Sequence, residues 1–373
     1  MTIRTGGSGG TALPVTQLLL RNLDRLGSSN LLLLGAPEDD ALVAAFGDRH
    51  GAVVVFDYRA FRWYESRQSG TTSLRPHFTP SYAPDGAKHD VAIVFLQKGS
   101  ELNDLVTAMA HDALAPGATA FFVGENKAGI RSAADVFARR MGPIVYSDRA
   151  RHCALYQARR NPSSPDHATA LLAWERNYQL GVGPSPLRIV TVPGVFGLGR
   201  LDAGTRLLLD HLPTDIVGSV LDFGCGSGVI GAAVKARVPD CAVTLTDASA
   251  FALYAARRTF EVNSLSAERI VVSDVFSHVD GTFDLIISNP PFHQGIATNY
   301  EIVSSFFAGC ASRLKPGGRV IIVANKFLPY ERQMAEALTS PVVVAQNDKF
   351  KVLAAVGRRS RAAGRGPQSG VLS

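Results

Sequence analysis

Asn289-Pro290-Pro291-Phe292 closes the apolar run Phe283-Asp284-Leu285-Ile286-Ile287, which reads as a strand. Prolines there are costly, because neither can donate a ladder hydrogen bond and both fix φ. The stiffness suits one kind of chemistry. An exocyclic amine whose lone pair is delocalised into a ring or carbonyl is a poor nucleophile. Two acceptors that each take one N–H hold it and draw it towards a tetrahedral nitrogen. The Asn289 side-chain oxygen can be one and the Pro290 carbonyl the other, with Pro291 fixing its direction. Phe292 offers a face for a planar group. In-line transfer needs acceptors fixed to well below an ångström. A proline-stiffened stop with Phe292 in the core is the plainer alternative. The pattern reads an amine without naming its bearer: guanine N2, adenine N6, cytosine N4 and a glutamine amide all fit.

Upstream, "VLDFGCGSG" places Gly224, Gly226 and Gly228 between a strand and a helix. Glycines there let the backbone turn sharply and approach a ligand, and the helix N-terminus offers unpaired N–H groups. Asp247 follows Gly224 by 23 positions, at the end of the next apolar run, where an acid can accept from both ribose hydroxyls. Alone, such a turn also fits NAD or FAD, although G-x-G-x-G shifts weight away from pyrophosphate binders. Asp274 ends a further short run.

These residues require a sheet to carry them. From Ser219 onward, strand-like and helix-like segments alternate, which predicts a parallel sheet with helices on both faces. The first half repeats the pattern. "NLLLLGAPEDDALVAAF" parallels the glycine segment, and "LAPGATAFFVGENK" parallels "LKPGGRVIIVANK". Gly35 precedes Asp57 by 22 positions, close to the spacing of Gly224 and Asp247. This looks like a duplication at domain scale. The first copy has Gly35-Ala36-Pro37-Glu38-Asp39 at its turn and "FLQK" in place of Asn289–Phe292, so it keeps the fold pattern and lacks the site. The expected organisation is a degenerate domain over 1–165, a linker over 166–187, a catalytic domain over 188–357 and a basic disordered tail over 358–373.

"VLDFGCGSGVIG" resembles motif I of class I methyltransferases that use S-adenosylmethionine. "IISNPPFHQG", "IVANKFLPY", "NDKFKVL" and "VPGVFGLGRLDAGTRLLL" are together similar to the bacterial ribosomal RNA guanine-N2 methyltransferases, which include a 16S-specific and a related 23S-specific enzyme. The likeness is close over 188–356 and architectural before that. It implies an α/β chain of two tandem doubly wound, Rossmann-like methyltransferase domains, the N-terminal one without a cofactor site. It also implies S-adenosylmethionine as cofactor, held by Asp222, Gly224, Gly226, Gly228, Asp247, Asp274 and Asn289. Within that set the glycines wrap the methionine–ribose part, Asp247 takes the ribose hydroxyls and Asp274 the adenine amine. Asn289, Pro290 and Phe292 are the expected catalytic residues, with 16S preferred over 23S RNA.

Further residues carry weaker expectations. His293 fits orientation of the base or loop better than general-base work, because a methylated aryl ammonium loses its proton readily to water. Pro291, His293 and Lys326 are candidate substrate contacts. Asp202 and Thr205 either lie over the methionine end of the cofactor or simply cap and pack a helix. Trp63 and Trp174 read as core. The 373-residue chain carries a net charge of +6, and its tail from Arg358 holds four arginines and no acid, which suits RNA phosphate or a solvated end. Four scattered cysteines without C-x-x-C suit a reducing cytoplasm and argue against structural zinc. Neither a membrane span nor a signal peptide is expected, and a monomer acting on ribosomal RNA or a ribosomal subunit is. Two rivals remain: a protein glutamine N5-methyltransferase, whose motif usually carries Tyr at position 292, and an RNA-binding or chaperone-like protein with a vestigial pocket.

Overall fold

The structure, a computed structural model, describes residues 12–27, 30–68, 73–162, 170–182, 185–290 and 298–358. The chain divides into two compact units. The first runs to Tyr178 and takes in Ile189–Arg200 and Ala248–Arg258; the second holds Gln179–Arg188, Leu201–Asp247 and the chain from Thr259.

In the first unit, helix α1 (Pro14–Leu20) precedes β1 (Leu31–Leu34), α2 (Asp40–Phe46), β2 (Gly51–Val55), α3 (Tyr58–Glu65), β3 (Leu74–Phe78) and β4 (His89–Phe95). Then follow α4 (Ser100–Ala113), β5 (Leu114–Glu125), α5 (Ile130–Met141), β6 (Ile144–Ala150) and β7 (Cys153–Arg159). A short pair, β8 (Arg176–Leu180) and β9 (Leu187–Thr191), lies between the two large sheets in sequence. The remaining elements are α6 (Ala203–Asp210), β10 (Ser219–Phe223), α7 (Val229–Arg237), β11 (Ala242–Asp247), α8 (Ala250–Val262), β12 (Arg269–Val272) and β13 (Phe283–Ser288). They end with α9 (Thr298–Arg313), β14 (Leu314–Asn325), α10 (Tyr330–Ala337), β15 (Val342–Gln346) and β16 (Phe350–Val356).

Both large sheets have seven strands in one order, β3-β2-β1-β4-β5-β7-β6 and β12-β11-β10-β13-β14-β16-β15. The likeness extends to irregularities. The β4–β5 ladder shifts register between His89 and Val91, and the β13–β14 ladder shifts between Phe283 and Leu285. Each sheet is mixed where the sequence predicts a parallel one. β7 and β16 run antiparallel to both neighbours, because each closes a hairpin. β3, β6, β7, β8, β9 and β15 escape sequence reading. Pro76 interrupts β3, which is an edge strand, where a missing N–H is tolerated.

Side chains alternate across each strand. In β10, Leu221 and Phe223 join Phe276, Phe306 and Ile286 in one core, and the Phe223 ring lies 4.7 Å from those of Phe276 and Phe306. Asp222 therefore points to the opposite face, under α7. Trp63 and Trp174 are half-buried against the two cores of the first unit, as core residues are.

Candidate active site

Strands β12, β11, β10, β13 and β14 run parallel, so their C-terminal ends share one edge, the usual place for a ligand in such a sheet. The expected site residues lie along it.

Just past β10, Gly224, Gly226 and Gly228 have φ of 65°, 53° and 72°, values that L side chains rarely adopt. A Cβ at Gly226 would meet no atom within 4 Å, so this turn faces open space. Gly228 is the N-cap of α7 and supplies no side chain to it; Asp222 takes the Gly231 N–H, which leaves those of Val229 and Ile230 for a ligand. Asp247, at the end of β11, accepts from the Gly226 N–H at 2.9 Å through Oδ2 and thereby ties the second strand to the turn. Asp274 lies two residues beyond β12 and is half-buried. The next residue, Val275, has φ 49°, unusual for a β-branched side chain. The Ser273 hydroxyl holds that turn by donating to the Val275 carbonyl at 3.0 Å.

Asp222 lies beneath the turn, 1% exposed, and its Oδ2 accepts from the Gly231 N–H at 2.8 Å. Its Oδ1 is buried with no partner among the described residues. Burial pushes this carboxyl up to about 7 and the nearby Asp247 charge adds to the rise, while the Gly231 N–H works against it.

Asn289 follows β13. Its Nδ2 donates to Thr205 Oγ1 at 2.8 Å and to Asp202 Oδ2 at 3.3 Å. Asp202 is also the N-cap of α6, where the same Oδ2 accepts from the Thr205 N–H at 2.9 Å. The capping half of the earlier alternative thus holds, and the pair also touches Asn289. The Asn289 Oδ1 takes no hydrogen bond among the described residues. Pro290 is buried. Pro291, Phe292 and His293 lie outside the described residues. Lys326 is exposed just after β14, and its N–H donates to the Lys349 carbonyl at 2.8 Å.

Residues 186–354 match the family model of the methyltransferase small domain, and residues 16–178 match the N-terminal methyltransferase small domain. The protein named ribosomal RNA small subunit methyltransferase C from Psychromonas ingrahamii is 34% identical over 341 residues, spanning 91% of this chain and 96% of that one. Its namesake from Pseudomonas putida is 37% identical over 345 residues, spanning 91% and 98%. The chain belongs to this family. A solved T. thermophilus 16S rRNA N2 methyltransferase, in complex with AdoMet and guanosine, superposes with a TM-score of 0.78 at 22% identity over 92% of each chain and shares the tandem fold.

The glycine turn and Asn289 both lie at the C-terminal edge of the second sheet, just past β10 and β13. The link from Asn289 to Asp202 spans 87 residues of sequence. Sequence reading weighed Asp202 and Thr205 without joining them to Asn289. The signal available was an N-cap pattern, Asp followed by Thr three residues on. Among the described residues no cluster of His, Cys, Asp and Glu could hold a metal, and no helix is long and apolar enough to cross a membrane. All four cysteines are buried thiols.

Proposed function

We propose that this chain transfers a methyl group from S-adenosylmethionine to the exocyclic N2 of a guanine in 16S ribosomal RNA. The observation that carries the reading is Asn289 at the end of β13. Its amide is tied through Nδ2, so its oxygen is left to accept from an amine. The relatives' shared name points to small-subunit RNA, which favours 16S over 23S and over a glutamine side chain.

The residues at the sheet edge suit the cofactor. Gly226 leaves room for a ligand, the α7 N-terminus suits a carboxylate, and the buried Asp222 Oδ1 suits an ammonium group. Asp247 takes the ribose hydroxyls and Asp274 the adenine amine. When bound, S-adenosylmethionine supplies an electrophilic methyl group on a sulfonium. Asn289 Oδ1 and the Pro290 carbonyl each accept one N–H of the guanine N2, which loosens its lone pair from the ring. Phe292 stacks on the base, Pro291 and His293 orient the loop, and Lys326 meets phosphate. Guanine N2 is engaged with its partner in a duplex, so the target is unpaired or flipped out. Residues 188–357 are the catalytic domain, and residues 1–165 bind RNA and steady it. The enzyme works as a cytoplasmic monomer.

Mass mapping of methylguanosines in ribosomal RNA from a strain lacking the gene tests this. One N2-methylguanosine should vanish from 16S RNA and return with the intact gene. An unchanged 16S map, with a methyl group missing from a release factor instead, would hand the protein to the glutamine reading. Calorimetric titration with S-adenosylmethionine tests the vestigial-pocket rival, which requires no heat of binding.

A further inference from the structure

We infer that Asp202 sets the polarity of the Asn289 amide and so makes the site select an amine over a carbonyl. The inference rests on the role given to Asn289 above.

An asparagine amide can sit either way round, with its oxygen or its NH2 towards a given partner. Thr205 alone cannot choose between them. Its hydroxyl lies 2.8 Å from the amide and 3.5 Å from Asp202 Oδ2; on its own a hydroxyl either accepts from an NH2 or donates to an oxygen, and it is donation to that carboxylate that commits it to accept. Asp202 Oδ2 lies 3.3 Å from the same amide atom, and a carboxylate oxygen only accepts. An amide oxygen in that place would set two acceptors face to face. The carboxylate therefore turns the NH2 inward and the oxygen outward. The outward oxygen attracts a group that carries N–H, such as guanine N2, and repels a group that is only an acceptor, such as guanine O6.

The geometry around Asp202 is itself fixed. The oxygen that meets Asn289 is the one that accepts from the Thr205 N–H at 2.9 Å as the N-cap of α6. The helix end thus aims the carboxylate, and Thr205, 4% exposed, has little room to move. Asp202 is a positioning residue, acting on substrate only through Asn289.

Three variants of the full chain test this, assayed by methylation of small ribosomal subunits and of naked 16S RNA from a strain lacking the gene. Asp202→Gly removes the carboxylate at a site where glycine caps almost as well, so the thermal midpoint should move by no more than about 2 °C. Its kcat should fall about 10- to 100-fold, with KM and cofactor Kd within about twofold. Asp202→Asn should restore kcat to within about fivefold, because the cap still draws an oxygen to the same place. In an Asn289→Ala background, Asp202→Gly should change the residual rate by less than about twofold. An unchanged kcat in Asp202→Gly, no rescue by Asp202→Asn, or a full additional loss in the Asn289→Ala background would each overturn the assignment. A readout without turnover stands beside these. The side-chain NH2 resonances of Asn289, assigned through Asn289→Ala, should shift in Asp202→Gly and stay put in Asp202→Asn; unshifted resonances would overturn it. Wild-type protein that methylates neither substrate while its Asn289 resonances respond as expected would instead defeat the ribosomal RNA reading and leave the polarity intact.

Discussion

The two sheets were built to one plan, but the residues at their C-terminal edges differ. Counting along matched strand registers, Leu33 stands where Asp222 stands, Pro37 replaces Gly226 and Asp39 replaces Gly228. Phe95 and Leu96 replace Asn289 and Pro290. The same count puts Val55, and not Asp57, in the place of Asp247. Asp57 instead caps α3, accepting from the Arg59 N–H at 2.9 Å. Asp57 is therefore not the counterpart of Asp247, although the two follow their glycines at nearly the same spacing.

The space itself is filled as well. Asp39 caps α2 with its own carboxylate, accepting from Ala41 and Leu13 N–H groups at 2.9 and 2.8 Å. Gln97 covers the turn so closely that a methyl group on Gly35 would collide with its amide. The Tyr64 hydroxyl donates to the Pro37 carbonyl at 2.7 Å. What the second unit leaves open for a ligand, the first unit closes with its own side chains. The lesson is that this fold needs none of Asp222, Gly226, Asp247 or Asn289. Their presence in the second unit calls for a reason other than folding.

The sharpest way to break that comparison is Asn289→Ala. Turnover should fall about 10²- to 10³-fold, by analogy with loss of one positioned polar group in an active site. Cofactor affinity, read by calorimetry, should barely move. Equal losses of both would make Asn289 a structural residue like Phe95.

Asp247→Val gives the second unit what the first already has. Two charge-assisted hydrogen bonds at about 1.5–3 kcal/mol each imply at least about a 100-fold loss of cofactor affinity. Folding should survive, since Val55 serves the same strand position. Titration of the whole wild-type chain should give one equivalent of cofactor, and the variant should reveal no second, micromolar site in the first unit.

Asp222 tests the comparison through pH. Its carboxyl is pushed up to about 7 mainly by burial, against about 3.9 in an unfolded chain. Between those values the folded chain holds more protons than the unfolded one, so stability falls as pH rises from about 4 to about 7 and then levels. Each pKa unit is worth about 1.4 kcal/mol, which makes the expected drop a few kcal/mol. Asp222→Asn keeps an acceptor for the Gly231 N–H and should flatten this component. Urea melts at pH 5 and pH 8 measure it, and parallel pH dependence in both proteins would contradict the burial argument.

The order of elements along the second unit was largely legible because glycines, prolines and acids punctuate its apolar runs. "GCGSG" announces a turn whichever ligand it serves, and Asn289-Pro290-Pro291 announces a fixed backbone. Less legible were strands whose pattern is weak. β15 has Val342, Val343 and Val344 all exposed, with no alternation to read. Contacts across long separations were not legible at all. Nothing local in "RLDAGTRLLL" says that Asp202 will meet an asparagine beyond β13, because the sheet brings them together only after folding.

The smallest effect concerns the tail. Arg358 is already committed to the fold, donating through Nε to the Leu338 carbonyl at 2.9 Å and bonding the Ala335 carbonyl. Arg359, Arg361 and Arg365 lie outside the described residues. If these three meet phosphates of a single strand, each should add about 0.7 to the slope of log K against log salt. Deleting 359–373 should then lower that slope by about 2 and weaken binding at low salt. The methylated nucleotide should not change, because phosphate contacts position a protein and base contacts select. Stability should hold too, because β16 ends at Val356 and the cut leaves Arg358 in place. Binding of a 16S fragment across a salt series decides the matter: coincident slopes for full-length and truncated chains would remove the tail from the RNA-binding surface.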